Sequence, residues 1–70
     1  PQYTFARLNL GTLLAQQDQL LEARTQYEKA VQFEPDNAWA HLYLGNVHFR
    51  LGNFLKAAES YQRSTTLNPT

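Results

Sequence analysis

The sequence contains no cysteine, which excludes disulfide bonds, cysteine-based zinc sites and thiol nucleophiles. It also lacks an apolar run approaching the roughly 18 residues of a membrane-spanning helix, and no signal-peptide pattern opens it. We therefore expect neither a disulfide-stabilised fold nor a membrane partner. With 43% hydrophobic and 13% aromatic residues, the chain can nevertheless form a core.

The chain has no excess of either charge, because six basic and six acidic side chains cancel at pH 7. A nucleic-acid-binding protein needs a basic stripe that displaces counterions from phosphates, so we expect no nucleic-acid partner. The distribution is uneven: residues 1–36 hold three basic and five acidic side chains, and residues 37–70 hold three basic and one acidic. We interpret this acidic end and basic end either as an ordinary solvated surface or as a source of head-to-tail attraction between copies.

Titratable and nucleophilic residues are present, but they are not arranged for catalysis. On a helix His41 and His48 lie two turns apart, about 10 Å along the axis, which is too far to hold one metal ion without a third element. Neither Ser60 nor Ser64 has a histidine and a carboxylate arranged around it. We therefore predict that the chain is not an enzyme, and we expect no cofactor and no metal.

The chain does contain an internal repeat with a period of 34 residues and no gap. The identical pairs are Ala6 and Ala40, Leu8 and Leu42, Leu10 and Leu44, Gly11 and Gly45, Leu21 and Leu55, Ala23 and Ala57, and Tyr27 and Tyr61, with Pro1, Pro35 and Pro69 in the same register. Such a period is typical of stacked units that are each too small to bury their own apolar face. We expect one domain over residues 1–70, with repeats at about 4–37 and 38–70.

Proline, glycine and polar turn residues divide the chain into four segments with apolar residues at helical spacing. We predict helices near 4–17, 20–33, 37–51 and 54–67. Because the connections are short, neighbouring helices should be antiparallel and form two hairpins.

The turns and glycines predict specific local contacts. We expect Asp36 and Asn53 to cap the third and fourth helices, and Gly52 and Asp18 to adopt the left-handed conformation that ends a helix. The lack of a side chain at Gly45 should let Tyr61 lie over it, and Gly11 should receive Tyr27 in the same way. The following residues should pack between the third and fourth helices: His41, Leu44, Gly45, His48, Phe54, Ala57, Tyr61 and Ser64. A second face of the third helix should pack on Leu20, Tyr27 and Val31 of the second helix, through Ala40, Leu44, Val47 and Leu51.

These residues resemble the pattern of the tetratricopeptide repeat (TPR) family. Leu44-Gly45 is followed at the expected intervals by Ala57, Tyr61 and Pro69, and Leu10-Gly11 by Ala23, Tyr27, Ala30 and Pro35. The resemblance covers the whole chain as two repeats. It implies an all-α fold in which two antiparallel helical hairpins stack as a short right-handed α-solenoid, and we expect this solenoid to be a piece of a longer array.

The resemblance also implies a protein–protein interaction module that holds a peptide or partner helix on a concave face formed by the first helix of each hairpin. Carried over to this chain, the partner-binding residues are Phe5, Leu8, Thr12, Gln16, Trp39, Leu42, Asn46, Phe49 and Arg50. Independently, the face of the third helix that contains Trp39, Leu42 and Phe49 is unusually apolar for a helix surface left to solvent. We expect an apolar or amphipathic partner segment, although Trp39 and Phe5 would alternatively complete the fold by packing against helix ends.

Two other functions remain open from the sequence. One is that of a structural spacer or a self-associating repeat unit, because apolar residues of the first and last helices have no neighbouring repeat to pack on. These residues are Ala6, Leu10 and Leu13 at one end and Phe54, Leu55 and Ala58 at the other. Alternatively it would be a non-catalytic TPR segment attached to an enzyme.

Overall fold

The computed structural model describes residues 2–68, which form four α-helices. They are α1 (Gln2–Gln16), α2 (Leu20–Phe33), α3 (Ala38–Arg50) and α4 (Phe54–Leu67). All four predicted helices are confirmed, and residues 2–68 contain no strand. No helix in this range combines the length and hydropathy needed to cross a membrane. Pro1 and Pro69, which extend the 34-residue register, lie outside the described residues.

The helices form two hairpins that stack on each other. Helix α1 packs on α2 and α3 packs on α4, while α2 and α3 form the main contact between the hairpins. A smaller contact joins α1 to α3. This is the all-α stack of helical hairpins that the repeat predicts, and it leaves the joint surface of α1 and α3 uncovered by α2 and α4.

The core lies where the hairpins meet. Its buried members are Leu8, Ala23, Tyr27, Ala30, Ala40, Leu44 and Val47. Around them pack the partly buried side chains of Leu14, Ala15, Leu20, Val31, Tyr43 and Leu51. The predicted contact between the second face of α3 and α2 is therefore confirmed. Burial of each large apolar side chain stabilises the fold by about 1.5–3 kcal/mol.

Each hairpin closes around a glycine that faces a tyrosine, as predicted. A Cβ added at Gly11 would lie 2.5 Å from Cε1 of Tyr27, and one added at Gly45 would lie 2.8 Å from the ring of Tyr61. Real Cβ contacts almost never come this close. The absence of a side chain thus sets the separation of the two helices in each hairpin.

Replacement of Gly11 by alanine should destabilise the fold more than the same change at Gly45. Tyr27 is buried, whereas Tyr61 is half-buried and has room to shift. Overpacking typically costs about 1–3 kcal/mol, and the better helix propensity of alanine offsets about 1 kcal/mol of it. Urea denaturation of both variants checks the order. A larger loss at Gly45, or a gain of stability at Gly11, would contradict this packing.

The turns confirm two predictions and correct a third. Asp18 and Gly52 have positive φ angles of 64° and 83°, as expected for residues that end helices. The prediction that Asp36 caps α3 is wrong. Asn37 is the N-cap, and its side chain accepts hydrogen bonds from the backbone N–H groups of Trp39 (3.0 Å) and Ala40 (3.2 Å).

The shift from Asp36 to Asn37 has a local cause. Asp36 lies in the turn that follows Pro35, so the first helical residue is Ala38 and the residue directly before it must cap. The Asn37 side chain is also held from the other side, because its Nδ2 donates to Oε1 of Glu34 at 3.1 Å. Asn53 occupies the predicted N-cap position of α4, but its side chain makes no capping hydrogen bond.

Candidate functional site

The surface formed by α1 and α3 is rich in exposed aromatic side chains. Phe5 is 67% exposed, and Trp39 and Phe49 are each 58% exposed. The Trp39 ring stacks against Tyr43 of its own helix, with ring centroids 6.2 Å apart and an interplanar angle of 28°. Intramolecular packing therefore uses only part of the Trp39 surface, and the rest is available to another molecule.

An open pocket of about 360 Å³ lies between the N-terminal half of α1 and the start of α3. We call it the aromatic pocket, and its lining residues are Phe5, Leu8, Asn9, Glu34, Asn37, Trp39 and Tyr43. Leu8 is buried, so this predicted partner-binding residue belongs to the core and contributes to the pocket only from below. Phe5 and Trp39 are the exposed aromatic walls.

A second pocket of about 370 Å³ lies between the C-terminal halves of α1 and α3. Its lining residues are Thr12, Ala15, Gln16, Tyr27, Tyr43, Asn46, Val47, Phe49, Arg50 and Tyr61. Five of the nine residues expected to bind a partner therefore lie together here: Thr12, Gln16, Asn46, Phe49 and Arg50. Tyr43 lines both pockets and joins them into one groove.

The second pocket contains two equivalent hydrogen bonds, one from each repeat. The hydroxyl groups of Tyr27 and Thr12 are 3.0 Å apart, and the Tyr61 hydroxyl donates to Oδ1 of Asn46 at 2.7 Å. Burial raises the pKa of Tyr27 above its ordinary value, an effect that the hydrogen bond with Thr12 opposes. Both tyrosines thus reach across the hairpin glycines and place a neutral polar group in the groove.

Arg50 is already engaged within the chain. Its Nη1 donates to the carbonyl oxygen of Ala15 at 3.0 Å, and its Nη2 lies 3.4 Å from Oδ1 of Asp18. A cation near the C-terminus of α1 interacts favourably with the carbonyl groups there. Because both side chains of the ion pair are largely exposed, it contributes no more than about 1 kcal/mol. Arg50 therefore links the two hairpins as well as lining the groove.

Leu42 and Phe54 lie apart from the groove. Leu42 is half-buried and lines a smaller pocket beside α4, together with Ala38, Trp39, Ser64 and Asn68. Phe54 was expected to pack within the second hairpin, but it is 61% exposed. Its ring meets the edge of Phe49 at a centroid distance of 5.3 Å. The equivalent Leu20 is partly buried against the core where the two hairpins meet, whereas no described helix follows α4 to cover Phe54.

The aromatic pocket contains four residues that were not predicted from the sequence: Asn9, Glu34, Asn37 and Tyr43. Tyr43 follows Trp39 by four residues, and this spacing places both rings on one helix face. Glu34 and Asn37 reach the pocket only because the turn between α2 and α3 folds back beside α1. That position depends on tertiary packing, and no local pattern in the sequence indicates it.

Both histidines belong to the packed part of the molecule. The Nε2 atom of His41 lies 2.8 Å from the carbonyl oxygen of Pro35. His48 is buried, and its Nδ1 has no hydrogen-bond partner among the described residues. Residues 2–68 contain no group of three or more side chains suited to hold a metal ion. Burial lowers the pKa of His48, with a smaller contribution of the same sign from the nearby Lys56 cation.

The buried His48 should make stability depend on pH. Because its pKa is lower in the folded chain, the unfolded chain binds more protons, and the free energy of unfolding must rise with pH in this window. The contribution of neutral, buried His48 to the free energy of unfolding is fully present above its pKa in the unfolded chain, near 6.5. This contribution is lost as the pH falls from there through the lower pKa of the folded chain. Urea midpoints measured from about pH 7.5 to pH 5 should show this loss, and His48→Gln should reduce it. An equal loss in the variant would assign the effect to other groups.

Two family models match the chain. A model described as TPR repeat matches residues 11–52, and a model described as Tetratricopeptide repeat matches residues 38–70. Together they include all of the second hairpin and the first hairpin from Gly11 onward. No curated protein matches the chain.

Proposed function

The chain belongs to the tetratricopeptide repeat family, and on this basis we propose that it binds a segment of a partner protein in the groove between α1 and α3. Repeats of this family generally mediate protein–protein interaction and are non-catalytic. The groove-binding role and the absence of catalysis in this chain are our proposal. The bound segment is apolar or amphipathic, because the groove offers aromatic rings interspersed with neutral polar groups.

The single observation that supports this proposal is the exposure of Phe5, Trp39 and Phe49 on one surface. Aromatic residues are enriched among the side chains that contribute most to binding energy. A contiguous exposed apolar patch on a folded protein commonly marks an interaction surface. Tyr27 and Tyr43 support the groove from below, with their rings stacked at 5.7 Å, so the surface is already formed before a partner arrives.

The test is a selection of peptides from a random library displayed on phage, using the wild-type chain as bait. Trp39 is the only tryptophan, so its fluorescence reports occupancy of the groove directly. Selected peptides should shift the Trp39 emission and should lose affinity for a Phe49→Ala variant. They should retain affinity for Leu21→Ala, a matched control, since Leu21 is exposed on α2. Peptides that bind all three proteins equally and leave the emission unchanged would contradict the proposal.

A second candidate function is self-association through the outer faces of α1 and α4. Leu10 and Leu13 are exposed on α1, and they occupy the positions that Leu44 and Val47 occupy in the buried contact with α2. The exposure of these two leucines is the observation that favours this function, because a second copy would cover them. A sedimentation series up to about 1 mM should show a rising average mass that Leu13→Glu abolishes. A strictly monomeric profile would contradict it.

Charge does not favour such stacking. The acidic residues of the first half lie on α2 and in the turns, and α1 contains a single charged residue, Arg7. Helix α4 has two basic residues and one acidic residue. Attraction between the acidic half of one copy and the basic half of another stays a prediction, although α1 and α4 themselves each have a small positive charge. Apolar contact is the contribution to self-association that the outer helices themselves support.

A further inference from the structure

We propose that the groove binds a proline-rich segment of the partner in the polyproline II conformation. This inference rests on the proposed function, since it names the class of segment that the same groove receives. Three properties of the groove support it: a row of stacked aromatic rings, a fixed hydrogen-bond donor, and charged residues that are already engaged within the chain.

The groove contains a row of stacked aromatic rings. The Tyr43 ring stacks on Trp39 with centroids 6.2 Å apart and on Tyr27 with centroids 5.7 Å apart, at interplanar angles of 28° and 16°. Tyr43 is only partly buried, and it lines both pockets. Grooves lined with aromatic rings are the surfaces on which proline-rich segments dock. Because polyproline II is already formed in the free segment, binding costs little conformational entropy.

The groove has the length of a short extended segment. Trp39 and Phe49 are both exposed and mark its two ends on α3. Ten residues of helix separate them, which is about 15 Å along the axis. Polyproline II advances about 3.1 Å per residue, so about five residues of a bound segment cover this distance. One short segment can therefore contact both aromatic ends.

Asn46 offers a hydrogen-bond donor between these ends. It is exposed on α3 and lines the second pocket. The Tyr61 hydroxyl donates to its Oδ1 at 2.7 Å, while its Nδ2 has no hydrogen-bond partner among residues 2–68. The bond from Tyr61 thus holds the carboxamide by its acceptor and leaves its donor to a bound molecule.

A proline-rich segment supplies the matching acceptor. Polyproline II has no internal hydrogen bonds, so its carbonyl groups need donors when they leave water. A helical segment satisfies its own backbone, which therefore offers the Asn46 donor no acceptor. An extended segment of other residues brings an N–H group at every position, and each one that the groove covers needs an acceptor. Proline brings no N–H group at all.

The charged residues that line the groove favour a segment without charge. They are Glu34 in the aromatic pocket and Arg50 in the second pocket. Glu34 accepts a hydrogen bond from Asn37 and has a further interaction within the chain. Arg50 is engaged by the carbonyl oxygen of Ala15 and by the Asp18 carboxylate. A neutral segment matches this groove, because it competes with none of these contacts.

The experiment compares two mirror-image peptides of about eight prolines, each about 25 Å long in the polyproline II conformation. The L-proline and D-proline peptides have the same composition and apolar surface, but their helices have opposite hands. Affinity is measured from Trp39 fluorescence for the wild type, for Asn46→Asp and for Gln62→Glu. Asn46→Asp keeps an acceptor for Tyr61 and removes the donor. Gln62→Glu is the matched control, because Gln62 is exposed on α4 and lines neither pocket. The melting temperature of each variant verifies that it is folded.

The L-proline peptide should shift the Trp39 emission and bind the wild type at least about tenfold more tightly than the D-proline peptide. Asn46→Asp should weaken this binding by about tenfold, because the donated hydrogen bond is lost and a carboxylate faces the peptide carbonyl group. Gln62→Glu should leave it unchanged.

Equal affinity for the two mirror-image peptides, or an unchanged affinity in Asn46→Asp, would overturn this inference. Peptides selected from the phage library that bind in the groove, and that the L-proline peptide does not displace, would overturn it as well and leave the proposed function standing. If neither the selected peptides nor the proline peptides perturb Trp39, the proposed function fails and this inference fails with it.

Discussion

Tyr27→Ala should leave the chain largely unfolded at room temperature. Tyr27 is only 3% exposed and belongs to the buried core. Its ring fills the space above Gly11 and stacks on Tyr43, and its hydroxyl group is hydrogen-bonded to that of Thr12. Truncation of a buried aromatic residue to alanine typically costs about 3–5 kcal/mol. At about 0.05–0.15 kcal/mol per residue, a chain of 70 residues has little stability beyond that cost.

Two controls separate this effect from a general sensitivity to substitution. Tyr27→Phe keeps the ring and removes only the hydrogen bond to Thr12, so it should cost about 1 kcal/mol. Tyr61→Ala removes the equivalent ring of the second repeat, which is half-buried, and should cost less than Tyr27→Ala. Circular dichroism with urea titration measures all three. A cooperative Tyr27→Ala unfolding curve close to that of the wild type would contradict the described core.

Trp39→Ala should cause the largest loss of partner binding. The few side chains that dominate an interface are enriched in tryptophan and each contribute about 2 kcal/mol or more, which corresponds to at least about 30-fold in affinity. The fold should tolerate the change, because Trp39 is 58% exposed and stacks on Tyr43, which is itself only partly buried. Affinity for a fluorescein-labelled selected peptide and the melting temperature are measured together. A large fall in melting temperature with unchanged affinity would instead assign Trp39 to packing.

The helices and their contacts were predictable because they depend on local or repeated patterns. Apolar spacing defined the four helices, and the 34-residue period placed Gly11 against Tyr27 and Gly45 against Tyr61. The exposure of Trp39 and Phe49 was predictable because two faces of α3 were assigned to contacts with α2 and α4. Both residues lie on the face that remained. These features require only that a helix has fixed periodicity and that the two repeats share one structure.

The remaining features depend on positions that the sequence pattern does not encode. The cap of α3 moved from Asp36 to Asn37 because the turn after Pro35 is one residue longer than expected. Arg50 was expected to be available to a partner, yet it reaches back to α1 and binds Ala15 and Asp18. Glu34 reaches the groove through the packing of a turn. Each of these results concerns a side chain at a helix end, where helical periodicity no longer determines direction.

The most direct test of groove binding is chemical-shift mapping of a selected peptide on the labelled chain. If a partner binds in the groove, the perturbed resonances should cluster on the surface shared by α1 and α3. The indicator residues there are Phe5, Thr12, Trp39, Asn46 and Phe49. Perturbation centred instead on the outer faces, at Leu10, Leu13, Leu55 and Ala58, would contradict groove binding and would indicate that this chain uses its end surfaces.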